Sequence, residues 1–144
     1  MKILIKVSGD LIDNIKVIEK IRELAKNSSV TLIHGAGTRI SNELDNAGVP
    51  YEFKNGIRHT CDEGLKICFD ESCRIRTTIE KVLEGYDVEI ISPCINKDGK
   101  IINLNAEEIF RNIHKDFDEK IIFTISDREK PLIGGIKDIR IIRM

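Results

Sequence analysis

Short β-branched runs separated by helical patterns predict an α/β protein whose central, mainly parallel sheet is covered on both faces. The runs are Ile3-Leu4-Ile5-Lys6-Val7, Val30-Thr31-Leu32-Ile33, Val88-Glu89-Ile90-Ile91 and Ile121-Ile122-Phe123-Thr124-Ile125. They lack the strict polar alternation of a strand with one wet face. The 27 isoleucines point the same way, because a side chain branched at Cβ packs well on a pleated surface. A chain of 144 residues has room for about one domain, burying roughly two thirds of its unfolded surface. No internal repeat or domain boundary divides residues 1–144.

Between the first two strands, Ile15, Ile18, Ile21 and Ala25 mark a helical stripe, started near Asp13 or Asn14 and ended by Asn27-Ser28-Ser29. A shorter helix carrying Ile40, Leu44 and Ala47 follows the second strand and stops at Gly48-Val49-Pro50. Tyr51 to Thr60 reads as an extended or looped segment. From Asp62 to Glu84 the residues Leu65, Cys68, Ser72, Ile75, Ile79 and Val82 recur at helical steps, with Asp70, Glu71 and Arg74 on other faces and Gly85 as the stop. Asn96 to Lys100 is a turn between two short apolar segments, and Asn105-Ala106-Glu107-Glu108 is a capping pattern that opens a further helix. At the end of the chain, Gly134-Gly135 separates Pro131-Leu132-Ile133 from the Ile139 to Ile142 run, which predicts a hairpin at a sheet edge.

Composition excludes several classes. No apolar stretch approaches the ~18 residues of a membrane span, and the opening Met1-Lys2-Ile3-Leu4-Ile5 is too short an apolar run for a secretory signal, so a cytoplasmic protein without a membrane is expected. The 23 Lys and Arg nearly balance the 24 Asp and Glu, so net charge selects no partner. The basic residues are dispersed, Trp is absent, and the few Tyr and Phe do not interleave with a basic patch, which argues against nucleic acid. Cys61, Cys68, Cys73 and Cys94 have no paired CxxC spacing and the three His form no ligand cluster, so no metal site is expected from this chain alone. Cys68, on an aliphatic helical stripe, reads as a packed or interfacial thiol rather than a redox centre.

Four segments are candidates for chemistry. Gly35-Ala36-Gly37 lies between the second strand and its helix. Small residues there let backbone N–H groups and the positive helix end approach an anion, and they equally suit a turn that only has to avoid crowding. Lys6-Val7-Ser8-Gly9 ends the first strand, and the carboxyl ends of neighbouring parallel strands open on one crevice. Lys6 would meet the glycine turn there and stabilise charge on a phosphoryl group; the competing reading is a strand-end lysine in water. Arg58 offers a planar fork for a carboxylate or phosphate, against a surface arginine with no partner, while His59 is a loop residue, a satisfied polar residue or a general base. Asn103 is suited to orienting a substrate and Glu107 to positioning Lys6 or a metal-bound nucleotide, with helix capping as the competing role.

Taken together, Lys6-Val7-Ser8-Gly9, His34-Gly35-Ala36-Gly37-Thr38-Arg39-Ile40, Gly56-Ile57-Arg58-His59-Thr60 and Asn103-Leu104-Asn105-Ala106-Glu107 resemble, in matching order, the amino-acid kinase family. The resemblance runs from Met1 to about Ile133 and is to the amino-terminal half of acetylglutamate kinase and related small-molecule kinases. It implies a three-layer sandwich, truncated in that the carboxy-terminal nucleotide-binding half is absent from residues 1–144. By similarity Lys6 stabilises the transferring phosphoryl group, Gly9, Gly35 and Gly37 cradle phosphate with Ser8 and Ala36 beside them, Arg58 holds a substrate carboxylate and Asn103 binds the acceptor. Glu107 occupies the position of the usual organising Asp.

Ser8 replaces a glycine common in that branch, Ala36 adds a methyl group, Glu107 is one methylene longer than Asp, and Asp127-Arg128-Glu129-Lys130 departs from the expected glycine-containing turn. The resemblance with these departures implies a module for small-anion binding or assembly, as a homo-oligomer or with a partner chain supplying the missing half, and with no cofactor established. The alternative is a Mg-ATP-dependent kinase subunit acting on a carboxylate or phosphate acceptor beside a separate nucleotide-binding chain.

Overall fold

Strand β1 (Lys2–Val7) is the middle of the molecule, and its alternation decides what lies on either side. The computed structural model describes residues 1–36, 38–125 and 135–144. After β1 and a 3-10 turn at Gly9–Leu11 come α1 (Ile15–Ala25), β2 (Ser29–His34), α2 (Arg39–Ala47), β3 (Tyr51–Lys54), β4 (Ile57–Thr60) and α3 (Asp62–Val82). The chain continues through β5 (Val88–Ile91), β6 (Cys94–Lys97), β7 (Lys100–Asn103), α4 (Ala106–Ile113), β8 (Glu119–Thr124) and β9 (Ile139–Arg143). The main sheet has the order β5-β2-β1-β8-β9 and every pairing in it is parallel. This is the α/β class expected, with the sheet between two helical layers.

Because successive side chains of a strand point to opposite faces, Ile3, Ile5 and Val7 join one core cluster with Val17 and Ile21 of α1 and Ile75 and Ile79 of α3. Leu4 points the other way and packs with Ile33, Ile122 and Phe110 of α4. Both faces are dry, which is why the strands read as continuous apolar runs. A third cluster, outside the sheet, joins Ile40 and Leu44 of α2 to Cys68 of α3 and Cys94 of β6. The long α3 therefore packs on the sheet with its carboxy-terminal half and on α2 with its amino-terminal half.

Several local readings are corrected. Ile15 stands at the first position of α1 and is 61% exposed, while Val17 takes its place in the core. Glu71 is buried on α3, where it receives Arg74 Nη1 at 2.7 Å. Tyr51 to Thr60 is an antiparallel hairpin, β3–β4, turned by Asn55-Gly56 with φ of 52° and 76°. Asn-Gly takes positive φ at both positions more readily than other pairs, and it is a strong hairpin signal. The same device, Asp98-Gly99 with φ of 53° and 86°, turns the β6–β7 hairpin. At the end of the chain, β9 is an edge strand, but it pairs in parallel with β8. The other arm expected of a terminal hairpin, Pro131-Leu132-Ile133 with Gly134, lies outside the described residues, as does the Asp127-Arg128-Glu129-Lys130 turn. Among the described residues no helix is long and apolar enough to cross a membrane.

Candidate functional site

The chain runs from β1 outward through β2 to β5, then returns to the other side of β1 for β8, so the sheet has its switch point between β1 and β8. In open α/β sheets such a reversal leaves a crevice beyond the carboxyl ends of the strands. Beside that switch point, beyond the carboxyl ends of β1 and β2, a cavity of about 230 Å³ opens, and Lys6, Ser8, Gly9, Gly35, Ala36, Arg58, Asn103 and Glu107 all line it. Gly37 lies outside the described residues.

The strand period places Lys6 on the Leu4 face, towards α4. Asn105 caps that helix, its Oδ1 accepting from the N–H of Glu107 at 2.8 Å and of Glu108 at 3.4 Å, which sets Glu107 in the first turn. Its carboxylate reaches Lys6 Nζ at 3.2 Å, with side-chain exposures of 20% and 4%. Lys6 is thus an enclosed cation rather than a strand-end lysine in water. A buried charge needs an opposite charge close by, and among the described residues Glu107 is the one carboxylate lining the cavity.

Arg58 comes from the other side. Register pairs it with Phe53 across the β3–β4 hairpin, so its guanidinium lies over the Phe53 ring at 4.8 Å and the Tyr51 ring at 5.4 Å. Its Nη2 donates to Ser41 Oγ at 2.9 Å, whereas its buried Nε has no hydrogen-bond partner. Asn103 Nδ2 donates to the Arg58 carbonyl at 3.1 Å, tying the two hairpins together below the cavity mouth. Arg58 is therefore a held side chain, not a loose surface arginine. His59 is exposed and does not line this cavity.

The glycine turns are packed backbone to backbone. A Cβ on Gly9 would stand 2.3 Å from the Ala36 carbonyl carbon, so this position admits only glycine. Gly35 is different: a Cβ there would meet nothing nearer than 3.5 Å. Its N–H continues the sheet by donating to Val7 O at 2.8 Å, and that of Ser8 donates to Phe123 O at 3.2 Å. The amino end of α2 already has a carboxylate, since the N–H and the hydroxyl of Thr38 both donate to Asp10 Oδ1 at 3.0 Å. Among the described residues, Lys6 and Arg58 are the cationic side chains that line this cavity.

Sequence reasoning missed the lock behind the turn. His34 is fully buried, with Nδ1 3.1 Å from Gly35 O and Nε2 2.8 Å from Ser92 Oγ. The carbonyl fixes the proton on Nδ1, so Nε2 accepts from the Ser92 hydroxyl. Burial pushes the imidazole down to about 4, so the ring is neutral. It joins the Gly35 turn to the Ser92-Pro93-Cys94 segment, whose Pro93 and Cys94 line the cavity. Burial likewise pushes the Cys94 thiol up to about 12, which leaves it protonated and weakly nucleophilic. Asn55-Gly56 was the available signal for the hairpin carrying Arg58; no local signal announces the contact between His34 and Ser92, 58 residues apart. Among the described residues no group of three or more His, Cys, Asp or Glu is placed to hold a metal ion.

No protein-family model and no curated protein matches the chain. Its fold does match solved structures. A crystal structure of N-acetylglutamate synthase from Neisseria gonorrhoeae complexed with coenzyme A and L-arginine superposes with a TM-score of 0.71 at 15% identity, covering 90% of this chain and 45% of the synthase chain. The same enzyme complexed with coenzyme A and N-acetyl-glutamate gives 0.69 at 17% identity, covering 88% and 42%. The structure of smu.665 from Streptococcus mutans UA159 gives 0.62 at 13% identity, covering 89% and 73%. This chain thus spans less than half the length of the synthase chains it resembles. At these identities the likeness is one of fold: an amino-acid-kinase-like three-layer α/β sandwich.

Proposed function

We propose that this chain is an amino-acid-kinase-like module that binds a small anion, carboxylate or phosphate, in the crevice beyond β1 and β2. The observation that carries the reading is the convergence of an enclosed Lys6 and a ring-stacked Arg58 with an unsatisfied Nε on one small cavity. Two cationic side chains on one cavity attract an incoming negative charge, and the planar Arg58 fork suits a carboxylate or phosphate. The synthase structures of similar fold hold L-arginine and N-acetyl-glutamate, both carboxylates, in chains about twice as long. That length supports a module that works beside a further domain, a second copy or a partner chain.

Calorimetric titration of the purified chain with acetate, glutamate, N-acetylglutamate and inorganic phosphate tests the reading. Saturable binding at millimolar Kd or better is expected for at least one of them, weakened at least about tenfold by Lys6→Met and by Arg58→Gln. Glu107→Gln removes the charge that competes for Lys6 and tightens binding several-fold. Absence of saturable binding by every probe refutes the reading.

The contact between Lys6 and Glu107 also supports a second reading, a kinase subunit acting with Mg-ATP, because a lysine held by a carboxylate at a glycine turn suits a transferring phosphoryl group. Lys6 and Arg58 suit a phosphate, but the one carboxylate that lines the cavity among the described residues is engaged by Lys6, and the nucleotide would need residues of another domain or chain. Incubating the same acceptors with Mg-ATP separates the two: phosphorylated product with the chain alone or with a partner supports the kinase, and binding without turnover supports the module.

A further inference from the structure

We infer that the anion taken by this crevice is amphipathic, with a short apolar body seated on Phe53 and Leu104 and its charged head turned inward to Lys6 and Arg58. The inference rests on the anion-binding reading and narrows its ligand class. Among the described residues the large apolar side chains left exposed are Met1, Ile15, Phe53, Leu104 and Ile141. Met1, Ile15 and Ile141 are scattered over a chain end, a helix start and an edge strand, as single exposed apolar residues commonly are. Phe53 and Leu104 come from separate hairpin segments and line the same cavity.

Neither side chain is part of the buried core. Phe53 is 57% exposed, Leu104 is 40% exposed, and neither belongs to a core cluster. The Leu104 backbone is anchored, its N–H donating to Pro93 O at 2.7 Å, and Phe53 is held by its edge-to-face contact with Tyr51 at 6.0 Å and by Arg58 over its ring. Two wet apolar groups at the mouth of a cavity with cations inside form a surface whose burial awaits a ligand. Inorganic phosphate or sulfate, charged on every side, would leave both side chains wet. The volume, about 230 Å³, is below the roughly 300–1,000 Å³ of pockets for drug-sized molecules, so the apolar body is a few carbons long and not a lipid tail.

The test is calorimetry on the full chain with two homologous series, acetate, butyrate and hexanoate, and methyl, propyl and pentyl phosphate. In the unaltered protein the affinity is expected to climb by up to roughly fourfold per added methylene in the series whose head group fits. Leu104→Ser should flatten that climb while the shortest anion keeps its affinity, with little loss of melting temperature because the side chain is partly exposed. Adding Phe53→Ser, which also removes a ring from under Arg58, should flatten the climb further and weaken the shortest anion as well. An affinity independent of chain length, with the short anion still bound and still lost on Lys6→Met, overturns the inference and leaves the anion site intact. Failure of every probe overturns both. Sedimentation closes the remaining route: if the chain dimerises and the double serine variant is a monomer, the apolar pair is covered by a second copy and the inference falls.

Discussion

On one wall of the crevice, the turns after β1 and β2, the backbone sets the shape; on the facing wall, the two hairpins and the start of α4, side chains set it. Gly9 lies against the Ala36 carbonyl with no room for a Cβ, and the N–H groups of Ser8 and Gly35 are engaged by Phe123 O and Val7 O. Across the cavity Arg58, Asn103 and Glu107 project from separate elements and are held by Ser41, by the Arg58 carbonyl and by Lys6. The difference teaches where specificity resides. A backbone wall packed as it is at Gly9 admits no side chain at that point and offers little chemistry, whereas a wall of side chains can be altered one residue at a time.

The sharpest way to break this comparison is a methyl group on each glycine. Gly9→Ala should lose about 3 kcal/mol of stability, the upper end of ordinary overpacking, because backbone and not a flexible side chain blocks the new atom. Gly35→Ala should cost under about 1 kcal/mol, since its Cβ would make only ordinary contacts. Urea denaturation of the two variants reads both; equal losses would mean that the turn is not pinned at Gly9.

The second prediction concerns the link between the turn and the other wall. The folded-state value of His34, about 4, is below the ordinary value of about 6.5, so the unfolded chain takes up the proton more readily. Stability is therefore fully present above about pH 6.5 and is lost as pH falls towards 4, by up to about 3 kcal/mol. The range from pH 6.5 to 5 lies above most carboxylate titration, so the slope there comes from His34 together with His114, whose imidazole is also held below its ordinary value by desolvation and by Lys120, Lys115 and Arg111. In His34→Gln, chemical denaturation at several pH values should show that slope reduced, with the remainder lost on adding His114→Gln; an unchanged slope in His34→Gln would place its origin elsewhere.

The smallest effect is at the amino end of α2. Asp10→Ala removes the acceptor for both Thr38 donors and should cost about 1 kcal/mol, the usual size of a lost cap. If cationic side chains rather than helix-end amides govern the cavity, anion affinity should change little in this variant. A large gain in phosphate affinity would shift the site towards the backbone wall.

Much of the fold was legible because its signals are local. Strand runs, helical stripes, the Asn105 cap and the Asp98-Gly99 turn depend on neighbours a few residues away, and each is present where the pattern puts it. Errors arose where packing overrode pattern. Ile15 lies on the expected stripe but precedes the point where α1 meets the sheet, and Glu71 is buried because Arg74 accompanies it. The terminal run at Ile139 forms a strand as read, yet its partner and direction are set by the free edge of β8.

By itself, then, the sequence determined the α/β class, the order of the elements and the residue types able to meet an anion, since periodicity and turn chemistry are written within short windows. Only the tertiary structure decided which of them share a cavity. The period of β1 turns Lys6 towards α4, and the return of the chain to β8 brings that helix over it. The register of the β3–β4 hairpin lays Arg58 on Phe53, and the proximity of β2 to the Ser92 segment buries His34 against a hydroxyl 58 residues away. These are contacts between parts of the chain that share no local signal, so they exist only once the sheet has assembled.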